Sequence, residues 1–384
     1  MDRTQTRRRR TPQRLAAAEF FAGIGLVRAA LNQNNVDVVF ANDIEPSKHQ
    51  LYAENFGDHD FVLGDVRAIE GADIPRIDLA TASFPCTDLS LAGGRAGLDG
   101  ESSSMFWEFA RILEEMPDRP QVVLLENVPG FATSRDGRDL RAAIERLNEL
   151  GYACDLLAVD AKYFVPQSRQ RLFIVGFQGE PYEAREPTPT LLRPRWLMDF
   201  INRNPDLDIR LQDIEEPPAR DVALSDVVER LRPDDVRWWD AERTDRFVGT
   251  LSPIQSARLA AMRDGEHHSW ATAYRRTRNG VAVWEIRADG ISGCLRTARG
   301  GSSRQALVEA GSGEVRVRWM TPREYARLQG ADDFRLAGAS DNQVLFGFGD
   351  AVCVPAVSWL IENHVIALLE AGSRAGAMEL AASG

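Results

Sequence analysis

Cysteine is scarce in this 384-residue chain: there are four, Cys86, Cys154, Cys294 and Cys353, all far apart. No two have the paired spacing of a zinc site, so no metal is expected. Usage this sparse fits a reducing compartment, here a cytoplasmic location, rather than a disulfide scaffold. No apolar run reads as long enough to span a bilayer, so no membrane is expected. The stretch Met1 to Arg14 holds six arginines and no apolar core segment, which excludes a secretory signal. Net positive charge is also lacking. A net charge of −11 by itself is a weak argument against a nucleic-acid partner. A dinucleotide fingerprint lacks its third glycine: Arg28 stands three residues after Gly25, against a nicotinamide oxidoreductase.

The charge that is present is unevenly placed, and local patches set the field that a polyanion meets. Residues 1–14 form a basic arm that reads as a flexible, solvated tail. From Tyr274 to Arg318 nine arginines face four acids. This stretch holds Arg275, Arg276 and Arg278, then Arg299, Ser302, Ser303, Arg304 and Gln305. Arginine, serine and glutamine among flexible glycines suit phosphate and base-edge contacts, although a solvated loop has the same composition.

Short apolar runs and helical patterns alternate from 15 to 177, which predicts an α/β fold with a mostly parallel sheet and helices on both faces. Around 178–315 prolines, acids and short strand-like runs break that alternation, and this segment reads as a smaller inserted domain. The larger domain then comprises 15–177 and 316–384.

The ends of the strands carry the chemistry. Leu15 to Phe21 runs into Ala22-Gly23-Ile24-Gly25, a glycine turn where backbone can approach a ligand. The second strand ends at Asp43, placed to accept ribose hydroxyls, and the third at Asp65, placed to bond an adenine amino group. Each acid alone reads equally as a loop or helix cap. The fourth strand delivers Phe84-Pro85-Cys86, and Pro85 keeps Cys86 on a rigid lip. A lone cysteine there is more often a small core residue, but the surrounding motifs favour chemistry. The flexible loop at Gly93-Gly94-Arg95 is a candidate lid. The fifth strand ends at Glu126-Asn127-Val128, and Arg169 and Arg171 lie two apart before the seventh, on one side of an extended chain.

Together these motifs resemble the DNA (cytosine-5) methyltransferase family, in the family's order and over most of the chain. Phe21 to Gly25 is similar to its cofactor loop, Pro85-Cys86 to its nucleophile motif and Glu126-Asn127-Val128 to its acid motif. Gln167-Ser168-Arg169-Gln170-Arg171 is similar to its arginine pair, and the helix near Arg323 to Gly330 and the Gly349 to Val352 turn complete the set. Asp350 departs from the family's usual asparagine, Thr87-Asp88 from its usual glutamine, and Ser102 to Ser104 lacks the usual arginine.

The resemblance implies a Rossmann-like methyltransferase fold and S-adenosylmethionine held by Phe21, Ala22, Gly23, Ile24, Gly25, Asp43, Ile44, Asp65, Val66, Pro85, Asp350, Ala351 and Val352. It implies a recognition domain at 178–315 that contacts double-stranded DNA, with Arg95 from the lid. Cys86 would attack carbon 6 of a flipped-out cytosine and Glu126 would serve ring nitrogen 3. Arg169 would hold the carbonyl oxygen, and Arg171 would orient Arg169 or a phosphate. The expected setting is restriction-modification or phage defence, by a monomer. An RNA cytosine-5 methyltransferase and a DNA-binding relative without activity are the alternatives.

Overall fold

Residues 15–127 build five parallel strands: β1 (Leu15–Phe20), β2 (Val36–Asp43), β3 (Phe61–Leu63), β4 (Leu79–Ala82) and β5 (Val122–Asn127). In the computed structural model, which describes residues 14–85, 105–179, 188–278, 280–297 and 304–372, they form one sheet with β6 (Ala153–Asp160) and β7 (Gln170–Phe177). Its order is β3-β2-β1-β4-β5-β7-β6, with β7 antiparallel to both neighbours. The strands are apolar throughout because both faces are covered. Ala17, Leu79 and Val122 enter one core cluster; their chain neighbours Ala18, Ala80 and Val123 enter the other. That alternation is the strand's two-residue period. The helices α1 (Leu26–Gln33), α2 (Pro46–Phe56), α3 (Met105–Glu115), α4 (Gly130–Thr133) and α5 (Arg138–Glu149) connect these strands.

The segment 178–315 divides in two. Its first part, with α6 (Arg195–Arg203) and α7 (Leu224–Val227), packs on the large sheet rather than forming a separate unit. Leu192, Ile214, Leu224 and Val227 join one core cluster; Leu197, Phe200 and Leu207 join the other. A buried charge fixes this attachment. Asp155 on β6 accepts from Arg193 Nη2 at 2.7 Å and from the Gln212 amide at 3.0 Å. His364 Nε2 lies 3.3 Å from the same carboxylate. Removing one partner would strand the others without water, so the cluster specifies where these segments dock.

The second part has its own small core. α8 (Ala241–Gly249) and α9 (Pro253–Arg263) contribute Phe247 and Leu259. They cover one face of an antiparallel sheet, β8 (Ser269–Arg278), β9 (Val281–Ile286), β10 (Ala306–Gly311) and β11 (Glu314–Trp319), in the order β11-β10-β8-β9. β11 therefore extends this sheet past residue 315, to the edge of the next helix.

That helix, α10 (Pro322–Leu328), ties the small sheet to the large one. Thr321 caps it and Glu324 returns the bond to the Thr321 amide at 2.8 Å. Glu324 also receives the buried Arg318 guanidinium, Nη1 to Oε2 at 2.8 Å. Gly330 follows with φ +72, and a Cβ there would stand 2.3 Å from Pro355 Cδ, so only glycine closes this turn.

The last described elements are α11 (Asp341–Asp350), α12 (Val354–Leu360) and a π turn at Ile361–Val365 that continues as helix to Gly372. The run Asp341–Gly372, with mean hydropathy 1.8, is long and apolar enough to cross a membrane, contrary to the sequence expectation. Of its apolar window 72% is buried inside the fold. Its apolar side chains, Leu345, Phe348, Leu360 and Leu368 among them, cover the large sheet.

Candidate active site

The placed residues expected for catalysis and cofactor binding gather at the carboxyl edge of the parallel strands, where open α/β sheets bind ligands, whereas Arg275 and Arg276 lie on β8 of the small sheet and Arg304 and Gln305 just before β10. Cys86, Arg95, Arg299, Ser302 and Ser303 lie outside the described residues, as do residues 1–13 of the arm and the side chain of Arg278.

The chain leading to Cys86 is well anchored. Phe84 is buried against Phe106 and Phe131, with ring centroids 5.7 and 5.6 Å apart. Asn127, at the end of β5, donates to the Phe84 carbonyl at 3.4 Å and accepts from the Val128 amide at 2.8 Å. The Glu126-Asn127-Val128 turn thus holds the backbone that presents Pro85. Asn127 had no role in the sequence reading. Its contact is with a carbonyl 43 residues away, which no local pattern announces.

Glu126 and Arg171 form the centre of the described site. In the antiparallel pairing of β5 with β7, Asn127 faces Leu172, so Arg171 falls just beyond the end of β5. Arg171 Nε then meets Glu126 Oε1 at 2.8 Å, and both side chains retain some exposure, 15% and 12%.

Arg169 is placed differently from its expected role on a substrate oxygen. Although it lies on the same side as Arg171, it is almost fully buried. Its guanidinium donates to the carbonyls of Leu295 at 2.8 Å, Gly349 and Asp350 at 3.3 Å each, and Ala351 at 2.6 Å. The end of a helix leaves its last carbonyls without partners, and a cation there also meets the negative end of the helix dipole. Arg169 serves that need for α11. Burial and then the neighbouring Arg171 hold its pKa below the ordinary arginine value. Of the two arginines it is Arg171 that stands beside the acid, while Arg169 ties the last helices to β7.

Cys294 lies between them, 3.4 Å from Arg169 Nη1 and 4.0 Å from Arg171 Nη2. Burial raises its pKa, but Arg169 and Arg171 outweigh burial and leave the thiol below its ordinary value. Two glutamines complete the support. Gln167 accepts from the Leu295 amide at 3.0 Å and donates to the Leu328 carbonyl at 2.7 Å. Gln329 donates to the carbonyls of Phe348 at 2.8 Å and Ala351 at 3.0 Å. Gly349 is required because the Arg296–Thr297 backbone passes over it; a Cβ would stand 2.5 Å from the Arg296 carbonyl carbon.

The loop after β1 is shaped for a ligand. Phe21 takes φ 57, a left-handed conformation uncommon for a bulky residue and typical of strained functional turns. Gly23 has φ +60 with nothing within 4 Å of a Cβ built on it, so the loop faces open space. Asp43 Oδ2 accepts from the Gly23 amide at 2.8 Å and Oδ1 from the Glu45 amide at 2.9 Å. Each oxygen keeps a further lone pair. Ile44 leaves 63% of its surface uncovered, unusual for so apolar a side chain beside a buried acid. Asp65 caps the turn Val66–Ala68 and is gripped by the Arg67 guanidinium, at 2.6 Å from Nη2. Arg67 holds the Asp65 carboxyl below its ordinary pKa. Val66 and Val352 are buried; Ala22 and Ile24 pack inward. Asp350 pairs with Lys48 of α2 at 2.9 Å, a contact that an asparagine would weaken.

Glu19, on β1, adds a titration to this edge. It is buried and accepts from the Arg28 amide at 3.3 Å. Burial pushes its pKa up to about 8 from an ordinary 4.5, with Arg28 opposing. Between those values the folded chain holds a proton that the unfolded chain has released, so stability falls as pH rises from 4.5 towards 8. We expect Glu19→Gln to flatten this slope and to stabilise the protein most at the alkaline end, by on the order of several kcal/mol. Urea unfolding at stepped pH checks it; an unchanged slope would contradict the assignment.

A family profile described as C-5 cytosine-specific DNA methylase matches residues 15–365. The chain belongs to that family. It is a DNA cytosine-5 methyltransferase, and S-adenosylmethionine is the donor. Among similar proteins is the type II methyltransferase M1.ScrFI of Lactococcus lactis subsp. cremoris, 28% identical over 90% of this chain and 76% of that one. Another is the type II methyltransferase M.NlaX of Neisseria lactamica, 28% identical over 93% of this chain and 98% of that one. The fold is that of the S. pombe Dnmt2 methyltransferase, with TM-score 0.59 and 18% identity over 93% of this chain and 98% of that one.

The residues after β1 and β2 fit an adenosine group: an open glycine loop, an uncovered apolar side chain and an acid with spare lone pairs. Among the described residues no cluster of His, Cys, Asp and Glu could hold a metal ion.

Proposed function

We propose that this methyltransferase acts on cytosine in a specific sequence of double-stranded DNA, with Cys86 as nucleophile and Glu126 and Arg171 facing the base. The 2.8 Å Glu126–Arg171 pair, at the end of the strand whose Asn127 anchors the approach to Cys86, carries this reading. Carbon 5 of cytosine is a poor nucleophile. Addition of the Cys86 thiolate to carbon 6 converts the ring to an enamine, and negative charge builds on nitrogen 3 and the carbonyl oxygen; once carbon 5 carries the methyl group, loss of its proton expels the Cys86 thiolate and restores the ring. Glu126 supplies a proton or hydrogen bond at nitrogen 3. Arg171 donates at the carbonyl oxygen while remaining oriented by Glu126. Arg169 acts through Arg171 and the α11 end, as a positioning residue.

S-adenosylmethionine supplies a methyl group on a cationic sulfonium when bound. Asp43 would accept from its ribose, Ile44 and Phe21 would cover its adenine, and Asp65 would accept from the amino group in place of an Arg67 donor. The Asp350–Lys48 pair would set the end of the site near Ala351. A base inside a duplex is out of reach, so the cytosine must be flipped, at a cost of about a few kcal/mol.

The small sheet unit and the loops beside it would read sequence. The type II relatives favour a role in restriction-modification within the cytoplasm. Labelled-methyl transfer to duplex DNA against transfer RNA, followed by bisulfite sequencing, tests the reading. We expect label in DNA and 5-methylcytosine at one recurrent sequence; label confined to RNA, or none, would overturn it.

A further inference from the structure

The small unit carries three tryptophans at one end of its helix-covered sheet face. Trp239, Trp284 and Trp319 stand with ring centroids 5.2–5.6 Å apart, each only partly buried. Two arginines sit on them and a third stands across the strand from one of them. Arg243 Cζ lies 4.2 Å from the Trp239 centroid and 5.4 Å from that of Trp319. Arg304 Cζ lies 5.4 Å from Trp319. Arg275 is the cross-strand partner of Trp284.

Other arginines of this unit have carboxylate partners, among them Arg237 with Asp235 at 2.8 Å and Arg276 with Glu285 at 3.3 Å. Arg276, one residue from Arg275, faces the other side of the strand. Among the described residues, Arg243, Arg275 and Arg304 have no carboxylate within 4 Å. Arg275 Nε, Arg304 Nε and Trp239 Nε1 are buried donors that meet no acceptor. Burial, with Arg246 and Arg304 nearby and Asp240 opposing, holds the Arg243 pKa below its ordinary value. Like charges crowded on an apolar plate, with no carboxylate to neutralise them, are arranged for an acceptor from outside.

This plate connects to the catalytic centre. Gln305 follows Arg304, and its Oε1 would lie 3.2 Å from a Cβ at Gly293, the residue before Cys294. Cys294 in turn touches Arg171.

We propose that Arg243 and Arg304, supported by Arg275 and held flat on the tryptophan plate, grip the DNA next to the target cytosine by paired donation to planar acceptors. The inference rests on the DNA-methylating reading above. A guanidinium stacked on an indole has its fork pre-oriented. DNA offers two matching acceptors: the O6/N7 edge of guanine and the oxygens of a backbone phosphate.

The test uses the full chain and a random-sequence duplex pool synthesised with guanine or with 7-deazaguanine. Binding is measured across salt, and the methylated sites are sequenced. We expect Arg243→Ala and Arg304→Ala each to weaken binding about tenfold. If the acceptor is a phosphate, the salt slope falls by about 1 and Arg243→Lys restores binding. If it is guanine, 7-deazaguanine reproduces the loss in the wild type, the methylated sequence relaxes at one position and lysine does not rescue. Arg243→Gln keeps the stem on Trp239 and serves should the alanine variants lose cofactor binding. Unchanged affinity, salt slope and site spectrum in Arg243→Gln and Arg304→Ala would overturn the grip while DNA methylation by the wild type still stood. A wild type that methylates no DNA would instead overturn the reading on which the grip rests.

Discussion

Replacing Cys86 by serine lowers methyl transfer to DNA by about four orders of magnitude or more, as expected when a covalent nucleophile is lost. Cofactor binding should stay near the wild-type level, because the residues that fit the adenosine group, Phe21, Gly23, Asp43 and Ile44, lie at the ends of other strands and in the loops after them. The size of the effect follows from ionisation. A thiol with pKa about 8.5 is a few per cent thiolate at neutral pH, whereas a serine hydroxyl stays protonated without a strong base beside it. Glu126, the acid expected to serve the base, is already engaged by Arg171 at 2.8 Å. A radiolabelled transfer assay paired with calorimetric titration of the cofactor separates the two readouts. Near-normal turnover in Cys86→Ser would remove the nucleophile from the account.

The second large effect separates the two arginines. Arg171→Ala should cost roughly 10²- to 10³-fold in turnover, the usual loss for one donor aimed at developing negative charge. Its thermal stability should change little, since Arg171 retains exposure and its partner Glu126 can reach water. Arg169→Met should reverse the pattern. It withdraws donors from the Leu295, Gly349, Asp350 and Ala351 carbonyls in a buried place. Orphaned polar groups there cost about 1–3 kcal/mol each, so unfolding should come first and turnover should fall through it. Stopped-flow kinetics and thermal unfolding on both variants decide the matter. Equal stability losses, or a normal turnover in Arg171→Ala, would contradict the assignment.

The parallel strands were legible because each is a short apolar run between glycine turns and helices, buried on both faces. The edge that carries Asp43, Asp65 and Glu126 was legible for the same reason: each acid ends such a run. The roles of Arg169 and Arg171 were not. Their spacing put both on one side of the strand, but what each meets there depends on Leu295 and the end of α11, more than 120 residues away. Burial of one and partial exposure of the other follow from that packing.

The acids Asp43 and Asp65 each cap or brace their own turn, as one of their two readings expected. Asp43 accepts one bond at each oxygen, whereas both Asp65 oxygens are engaged by Arg67. The start of the inserted segment was also hidden. Its prolines and acids look like a separate unit, yet Leu192, Leu197 and Arg193 anchor residues near 190–228 to the large sheet. In 274–278 the arginines read as one basic patch, but successive strand residues face opposite sides, so Arg275 joins the tryptophans and Arg276 pairs with Glu285.

The central claim is that a sulfur–carbon bond forms between Cys86 and a cytosine extruded from its duplex. Duplex DNA carrying 5-fluorocytosine at the methylated position tests it directly, because fluorine at carbon 5 blocks the elimination that would release the enzyme. With the methyl donor present, the account predicts a denaturation-resistant protein–DNA complex whose digested peptide carries the base on Cys86. No such complex, under conditions where unmodified DNA is methylated, or an adduct on Cys294 instead, would contradict it.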